Sequence, residues 1–288
     1  RHAQESRPIN IQEGANMSAP NAIKSDKLAR LIGTASTPAI IDVRTQEDFE
    51  ADPRLIPGAM KRSHQTVSEW GKAHAGKPAI VVCHHGAKLS EGTAAWLRQL
   101  GADAVSLEGG FVEWDTAKLP LVPVAKIPRR DTEGRTIWVT RARPKIDRIA
   151  CPWLIRRFVD PAAVFLFVAP QEVAAVADRF NATAFDIENT HWSHRGDLCT
   201  FDVMVEEFGL ATEALLRLAT IVRAADTARL DLAPEAAGLL AASLGLSRMY
   251  ADDLEQLEAG MGLYDAFYRW CRDATEETHT WPTNKVKP

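Results

Sequence analysis

One stretch constrains the fold more than any other: Ala79-Ile80-Val81-Val82 running into Cys83-His84-His85-Gly86-Ala87-Lys88. Four apolar residues in a row, two of them β-branched valines, read as a strand buried on both faces. Ser90 to Leu100 then reads as a helix, which Gly101 closes. A cysteine at such a strand-to-helix junction meets inward-pointing backbone N–H groups and the positive end of the helix dipole. Both stabilise an anion, including a thiolate. Gly86, three residues after the cysteine, permits a tight loop. Apolar packing alone would not select two histidines and a lysine beside it.

The flanking segments continue the same pattern. Ser25 to Leu31 reads as a short helix and Ala39 to Val43 as a strand. Asp52 to Ala59 is rich in turn formers, and Val67 to His74 is a weaker helix. Ala104 to Leu107 is another strand, ended by Gly109-Gly110, and Phe111 to Ala117 opens a helix with Trp114 as a core anchor. Short apolar strands alternating with helices predict a parallel sheet with helices on both faces. The cysteine loop then lies at the carboxyl end of a strand, where open α/β sheets place their ligands.

The chain has 288 residues, enough for two domains with a core each. A formal net charge of -4 gives no reason to expect nucleic-acid binding, and no apolar run is long enough to span a bilayer. Four scattered cysteines, Cys83, Cys151, Cys199 and Cys271, are not a disulfide framework; they point to a reducing, cytoplasmic setting. Residues 1–24 read as a flexible leader, in which Arg1 to Asn16 lacks a secretory core and Met17 is a candidate start. Residues 25–122 form the first domain and 123–134, rich in proline and charge, a linker. Residues 135–275 form the second domain, and 276–288 a polar tail.

The second half begins with a strand, Thr136 to Thr140. In Lys145 to Phe158 the apolar residues recur at helical spacing. Pro152 fits only a first turn, so the helix is expected to start near Ala150. Val164 to Val168 and Ala182 to Ile187 read as strands, with a helix over Glu172 to Arg179. From Thr200 the chain is helical: Glu213 to Ala225, Pro234 to Leu244 ended by Gly245, and Asp252 to Cys271. Between strand and helices lies a polar stretch with His191 and His194. Asp186, Glu188, Asp197 and Cys199 are near in sequence, and Asp147 and Asp226 can join them only through the fold. Imidazoles beside carboxylates suit Zn²⁺ or Fe²⁺, so His191 and His194 are candidate metal ligands. The competing reading is polar turn residues capping a helix, with Asp197 as its N-cap. Arg148, Arg156 and Arg157 are candidate contacts for an oxyanion, or else a salt-bridged helix face.

Residues from about 35 to about 122 resemble a single-domain rhodanese. Four motifs carry the resemblance in order: Asp42-Val43-Arg44, Ile56-Pro57-Gly58-Ala59, the loop Cys83 to Lys88, and Leu107-Glu108-Gly109-Gly110-Phe111-Val112-Glu113-Trp114. The resemblance implies sulfur transfer through a persulfide on Cys83, with His84, His85, Gly86, Ala87 and Lys88 around the substrate. The donor is thiosulfate or a persulfide, the acceptor a thiol, and no cofactor is required. A six-residue loop is associated in that family with sulfur. Many relatives hold arginine where this chain has Lys88; lysine lacks the bidentate fork, which favours a persulfide donor. Asp42 and Arg44 are read as braces of the sheet end.

Residues from about 135 to about 275 resemble the C-terminal domain of ChrB-type chromate-resistance proteins. The matching stretches are Trp138 to Arg141, Asp147 to Phe158, His194 to Asp202, and Arg223 to Thr227. This resemblance implies a mainly helical α+β domain and a role in resistance to chromate or metal oxyanions. Two functions follow as expectations. One is a sulfurtransferase coupled to a chromate-resistance module. The other is a metal- or oxyanion-binding sensor in which the rhodanese part is a redox-responsive surface.

Overall fold

The computed structural model describes residues 21–277. The expected leader and tail lie outside those residues, apart from 21–24 and 276–277.

The first half is built on a five-stranded sheet. Its strands are β1 (Ala22–Ile23), β2 (Ala39–Asp42), β4 (Ala59–Lys61), β5 (Pro78–Val82) and β6 (Asp103–Leu107), in the order β1-β6-β5-β2-β4. Every pairing in it is parallel. A two-residue strand β3 (Arg54–Leu55) pairs antiparallel with β7 (Val122–Pro123), which ties the start of the expected linker back to this half.

Because side chains alternate along a strand, the sheet serves two cores. Ile40, Ile80, Val82 and Leu107 face one, and Ile41, Ala79, Val81 and Ala104 face the other. The second face is covered by helix α3 (Val67–Trp70), after the helices α1 (Ser25–Leu31) and α2 (Gln46–Ala51), and by α4 (Lys88–Gln99). Helix α4 buries Ala94 and Leu97 there, with Cys83 in the same cluster. The first face packs under α1 and α5 (Gly110–Thr116), with Trp114 fully buried and its indole N–H donating to the Pro120 carbonyl at 2.9 Å.

The second half holds a three-stranded parallel sheet, β8 (Ile137–Arg141), β9 (Val164–Val168) and β10 (Thr183–Ala184), with β8 in the centre. The rest is largely helical: α6 (Asp147–Leu154), α7 (Val173–Phe180), α8 (Thr200–Glu207), α9 (Glu213–Asp226), α10 (Ala236–Met249) and α11 (Asp253–Asp273). Trp153 anchors it, with Phe158, Phe201, Tyr264 and Tyr268 around its rings and its indole N–H donating to Asp265 at 2.8 Å.

Four local expectations are corrected. The helix expected near Ala150 begins at Asp147, so Pro152 lies inside it. A proline there removes a helix hydrogen bond at a cost of about 3 kcal/mol. Every residue of α6 except Arg148 is buried, and that packing offsets the cost. A wide π-turn, Ile155–Val159, follows at once. The strand expected over Ala182 to Ile187 ends at Ala184, because Asp186 takes a left-handed conformation (φ 50°) that bends the chain away. Gly245 does not end its helix; α10 runs on to Met249. The N-cap of α8 is Cys199 rather than Asp197, and the Asp202 carboxylate accepts the Cys199 N–H at 3.0 Å.

The two halves share one apolar cluster, in which Leu28 of α1 and Ile32 just after it join Phe158 and Tyr268. Polar contacts add to it. The Gly58 N–H donates to the Phe158 carbonyl at 2.6 Å and Arg272 to the Arg30 carbonyl at 3.0 Å. Lys126, in the connecting segment, pairs with Glu207 at the end of α8. Lys126 and Arg195 together hold the Glu207 carboxyl down at about 2.

Candidate functional site

The Cys83 loop is shaped from behind by two glycines. Gly86 has φ 69°, and a Cβ on it would run into the Leu107 carbonyl and the Gly109 and Gly110 amides. Gly110 has φ 60°, and a Cβ on it would run into the carbonyls of Cys83 and His84 and the Gly86 amide. The start of α5 therefore packs directly on the loop. The Phe111 and Val112 amides donate to the Cys83 and His84 carbonyls at 2.9 and 3.0 Å. Among the described residues, the N–H groups of His84, His85, Gly86 and Ala87 donate to no protein acceptor.

Cys83 is buried at 5% exposure, just after β5 and ahead of the first turn of α4. Its Sγ lies 3.1 Å from the Ser90 hydroxyl, which is also 3.1 Å from the Ala87 carbonyl. A hydroxyl has one proton and rotates to suit, so Ser90 can serve either acceptor and can follow a sulfur that becomes ionised. Ser90 escaped the sequence reading; it is buried in the first turn of α4, on the sulfur's side. The other expected loop residues differ in placement. His84 is half-buried, with a buried Nδ1 that has no partner among the described residues. His85 is exposed and meets His84 edge-on at 4.5 Å; Ala87 and Lys88 are exposed.

Asp42 and Arg44 brace the sheet end below. Arg44 is buried, and its Nε donates to Asp42 Oδ2 at 2.8 Å. Its other nitrogens reach the Asp52 and Arg54 carbonyls at 3.0 and 2.6 Å, and its guanidinium stacks over Phe111 at 3.7 Å.

The second half gathers a different group. His194 Nε2 lies 3.5 Å from Asp147 Oδ2, 3.5 Å from Asp186 Oδ1 and 3.3 Å from Asp226 Oδ2. These residues come from the start of α6, the bend after β10, the polar loop and the end of α9. Thr200, opening α8, donates its N–H to Asp147 at 2.7 Å and its hydroxyl to Asp186 at 3.0 Å. Arg148 and Arg141 meet the far side of Asp186 at 3.3 and 3.4 Å. His191 is not brought there. It is exposed, stands edge-on to Trp192, and its Nε2 is 3.9 Å from Glu207.

Burial raises the Asp147 carboxyl to about 7, with His194 pulling the other way. Burial also acts upward on Asp186, but His194, Thr200, Arg148 and Arg141 outweigh it and hold that carboxyl below its ordinary value. The three carboxylates raise His194 to about 12. A protonated Asp147 would withdraw part of that support, so the rise at His194 rests on Asp186 and Asp226 as well.

The three arginines read as oxyanion contacts go to different places. Arg156 pairs with Glu258 at 2.5 Å, Arg157 forks onto Asp265 at 2.8 Å, and Arg148 turns to Asp186. Burial drives the Cys151 and Cys199 thiols far up and Cys271 to about 11, so these three are packing residues rather than ready nucleophiles.

A parallel sheet carrying a cysteine in an amide-lined loop, at a strand end and before a helix, defines the rhodanese class of fold. Comparison with known proteins names both halves. The family model described as a rhodanese-like domain matches residues 24–117, and that described as the ChrB C-terminal domain matches 138–271. Protein ChrB of Cupriavidus metallidurans is 36% identical over 146 residues, 49% of this chain and 43% of that protein. The chain thus spans less than half the length of that relative. The thiosulfate sulfurtransferase GlpE of Pseudomonas savastanoi pv. phaseolicola is 34% identical over 77 residues, 26% of this chain and 70% of that protein. A solved rhodanese-like domain protein from Staphylococcus aureus is 28% identical, with a TM-score of 0.30 over 33% of this chain and 90% of that one. The chain belongs to the rhodanese-like family through its first half, and carries a ChrB C-terminal domain behind it. No helix among the described residues is long and apolar enough to cross a membrane.

Proposed function

We propose that the chain is a sulfurtransferase that carries sulfane sulfur on Cys83, coupled to a chromate-resistance module. The observation that carries the reading is the buried Cys83 sulfur at the strand end, 3.1 Å from the Ser90 hydroxyl, in a loop whose next four amides donate to no protein acceptor among the described residues. In the first step the Cys83 thiolate attacks the outer sulfur of the donor. The donor's S–S bond breaks, and sulfite or a thiolate leaves with the electron pair. Cys83 then holds a persulfide, whose terminal negative charge faces the loop N–H groups and the first turn of α4. An acceptor thiolate attacks that terminal sulfur, takes it as its own persulfide, and returns Cys83 as thiolate. No external oxidant or reductant enters. Lys88 and His85, both exposed at the rim, meet the donor's charge; a lone ammonium suits a small persulfide better than the three oxygens of thiosulfate. The cycle needs a free thiol, which fits a cytoplasmic, reducing setting.

The test is sulfur release from thiosulfate and from glutathione persulfide to cyanide, parent against Cys83→Ser. The variant is expected to lose transfer from both donors and to lose the one-sulfur mass adduct at residue 83. Equal rates in the two proteins would remove the proposal.

A further inference from the structure

We propose that the C-terminal half holds one divalent transition-metal ion between Asp147, Asp186 and His194, with Asp226 beside it and an open position toward solvent. The ion is of the Zn²⁺ class.

Spacing is the first argument. One ligand atom from each of Asp147, Asp186 and His194 lies within 4.8 Å of the others. The three carboxylate contacts of His194 Nε2, at 3.3 to 3.5 Å, are long for hydrogen bonds between charged groups, which run about 2.7–2.9 Å. One Nε2–H also cannot serve three acceptors. Ligands bound at about 2.0–2.1 Å around a tetrahedral Zn²⁺ stand about 3.3–3.4 Å from one another. The separations of His194 from Asp147 and Asp186 are those of co-ligands rather than of a donor and its acceptors; Asp226 does not join the group in which all ligand atoms lie within 4.8 Å of one another.

The second argument is independent of spacing. Asp147 is fully buried, and one of its oxygens takes the Thr200 N–H. The other, Oδ1, has no partner among the described residues. A buried carboxylate oxygen without a partner is costly in a folded protein, and a cation is the partner that removes the cost. The same carboxylate's Oδ2 lies 3.5 Å from His194 Nε2, which puts the group in the cluster.

The surroundings suit a cation. Thr200 and Arg148 orient the two aspartates from behind, as outer groups do around metal ligands. The His194 side chain is 41% exposed, so the site opens to solvent. Three protein ligands and an open position is the pattern of sites that act on a bound molecule; structural zinc sites are closed by four. Mixed imidazole and carboxylate ligands favour Zn²⁺, Fe²⁺ or Mn²⁺ over Mg²⁺ or Ca²⁺. The inference does not rest on Cys83, and its test reads metal rather than sulfur.

The experiment titrates the full chain, stripped by chelator, with Zn²⁺ in competition with a chromophoric chelator. One Zn²⁺ per chain is expected. His194→Ala and Asp186→Asn should each weaken binding by about 100-fold or more, and His191→Ala should stay within about threefold of the parent. X-ray absorption on the zinc-loaded parent keeps the test decisive if a variant fails to fold: a shell of nitrogen and oxygen alone is expected. A sulfur shell, absence of binding, or loss of binding in His191→Ala but not in His194→Ala would each overturn the proposal.

Discussion

Asp42 and Asp147 are both buried carboxylates, one in each half, at the end of β2 and the start of α6. Asp42 is closed off. Arg44 supplies its backbone N–H to one oxygen at 2.9 Å and its Nε to the other at 2.8 Å. Asp147 is half-served: Thr200 reaches one oxygen, the nearest imidazole is 3.5 Å away, and Oδ1 has no partner among the described residues. The first is a structural device, because both of its oxygens are partnered. The second keeps capacity in reserve, which a structural role would not require. The Cys83 loop is likewise held by backbone, through the Phe111 and Val112 amides, whereas the cluster around His194 is built chiefly of side chains.

The largest effect is expected where the closed pair is broken. Arg44→Met leaves Asp42 buried without its cation and removes the stacking on Phe111. Loss of one partner of a buried pair costs about 3–5 kcal/mol. Denaturant midpoints measure it, and a loss below about 1 kcal/mol would show that Asp42 is no better served than Asp147.

A smaller effect tests whether the sulfur site is built from backbone. Gly110→Ala places a Cβ on the Cys83 and His84 carbonyls at a left-handed position. About 1–3 kcal/mol of stability should go, and sulfur transfer should fall further than the loss of folded protein explains. Transfer that tracks the folded fraction would mean that the loop tolerates displacement of its rear wall.

The two sites differ in how far the sequence shows them. Cys83 to Lys88 is contiguous, lies between a strand and a helix, and is backed by Gly109-Gly110, so the fold and the candidate cysteine loop are both readable. Ser90 was missed because only helical phase brings it to the sulfur. The cluster joins residues 147, 186, 194 and 226, and no local spacing announces it. The three-residue interval between His191 and His194 points the wrong way. The left-handed turns at Asp186 and Asn189 swing the loop so that His191 lies with Trp192, which stacks on Phe208 at 4.7 Å. Only His194 reaches the acids. The inside position of Pro152 was unreadable for a related reason: local propensity argued against it, and burial of a whole helix overrode propensity.

The smallest effect concerns Asp147 itself and separates the two acids most cleanly. In metal-stripped protein, Asp147→Asn keeps an oxygen for the Thr200 N–H and removes a charge that lacks a full set of partners. Those changes offset, so stability should move by no more than about 1 kcal/mol, against the several expected at Asp42. Adding Zn²⁺ should then part the two proteins. At a free concentration of about 100 times the dissociation constant, binding to the folded parent adds about 2.7 kcal/mol. The asparagine variant, short of one anionic ligand, should gain distinctly less at the same concentration. If Asp147→Asn costs the metal-free protein as much as Arg44→Met does, Asp147 is as fully engaged as Asp42, and its unpartnered oxygen would mark strain in the fold rather than a place kept for a cation.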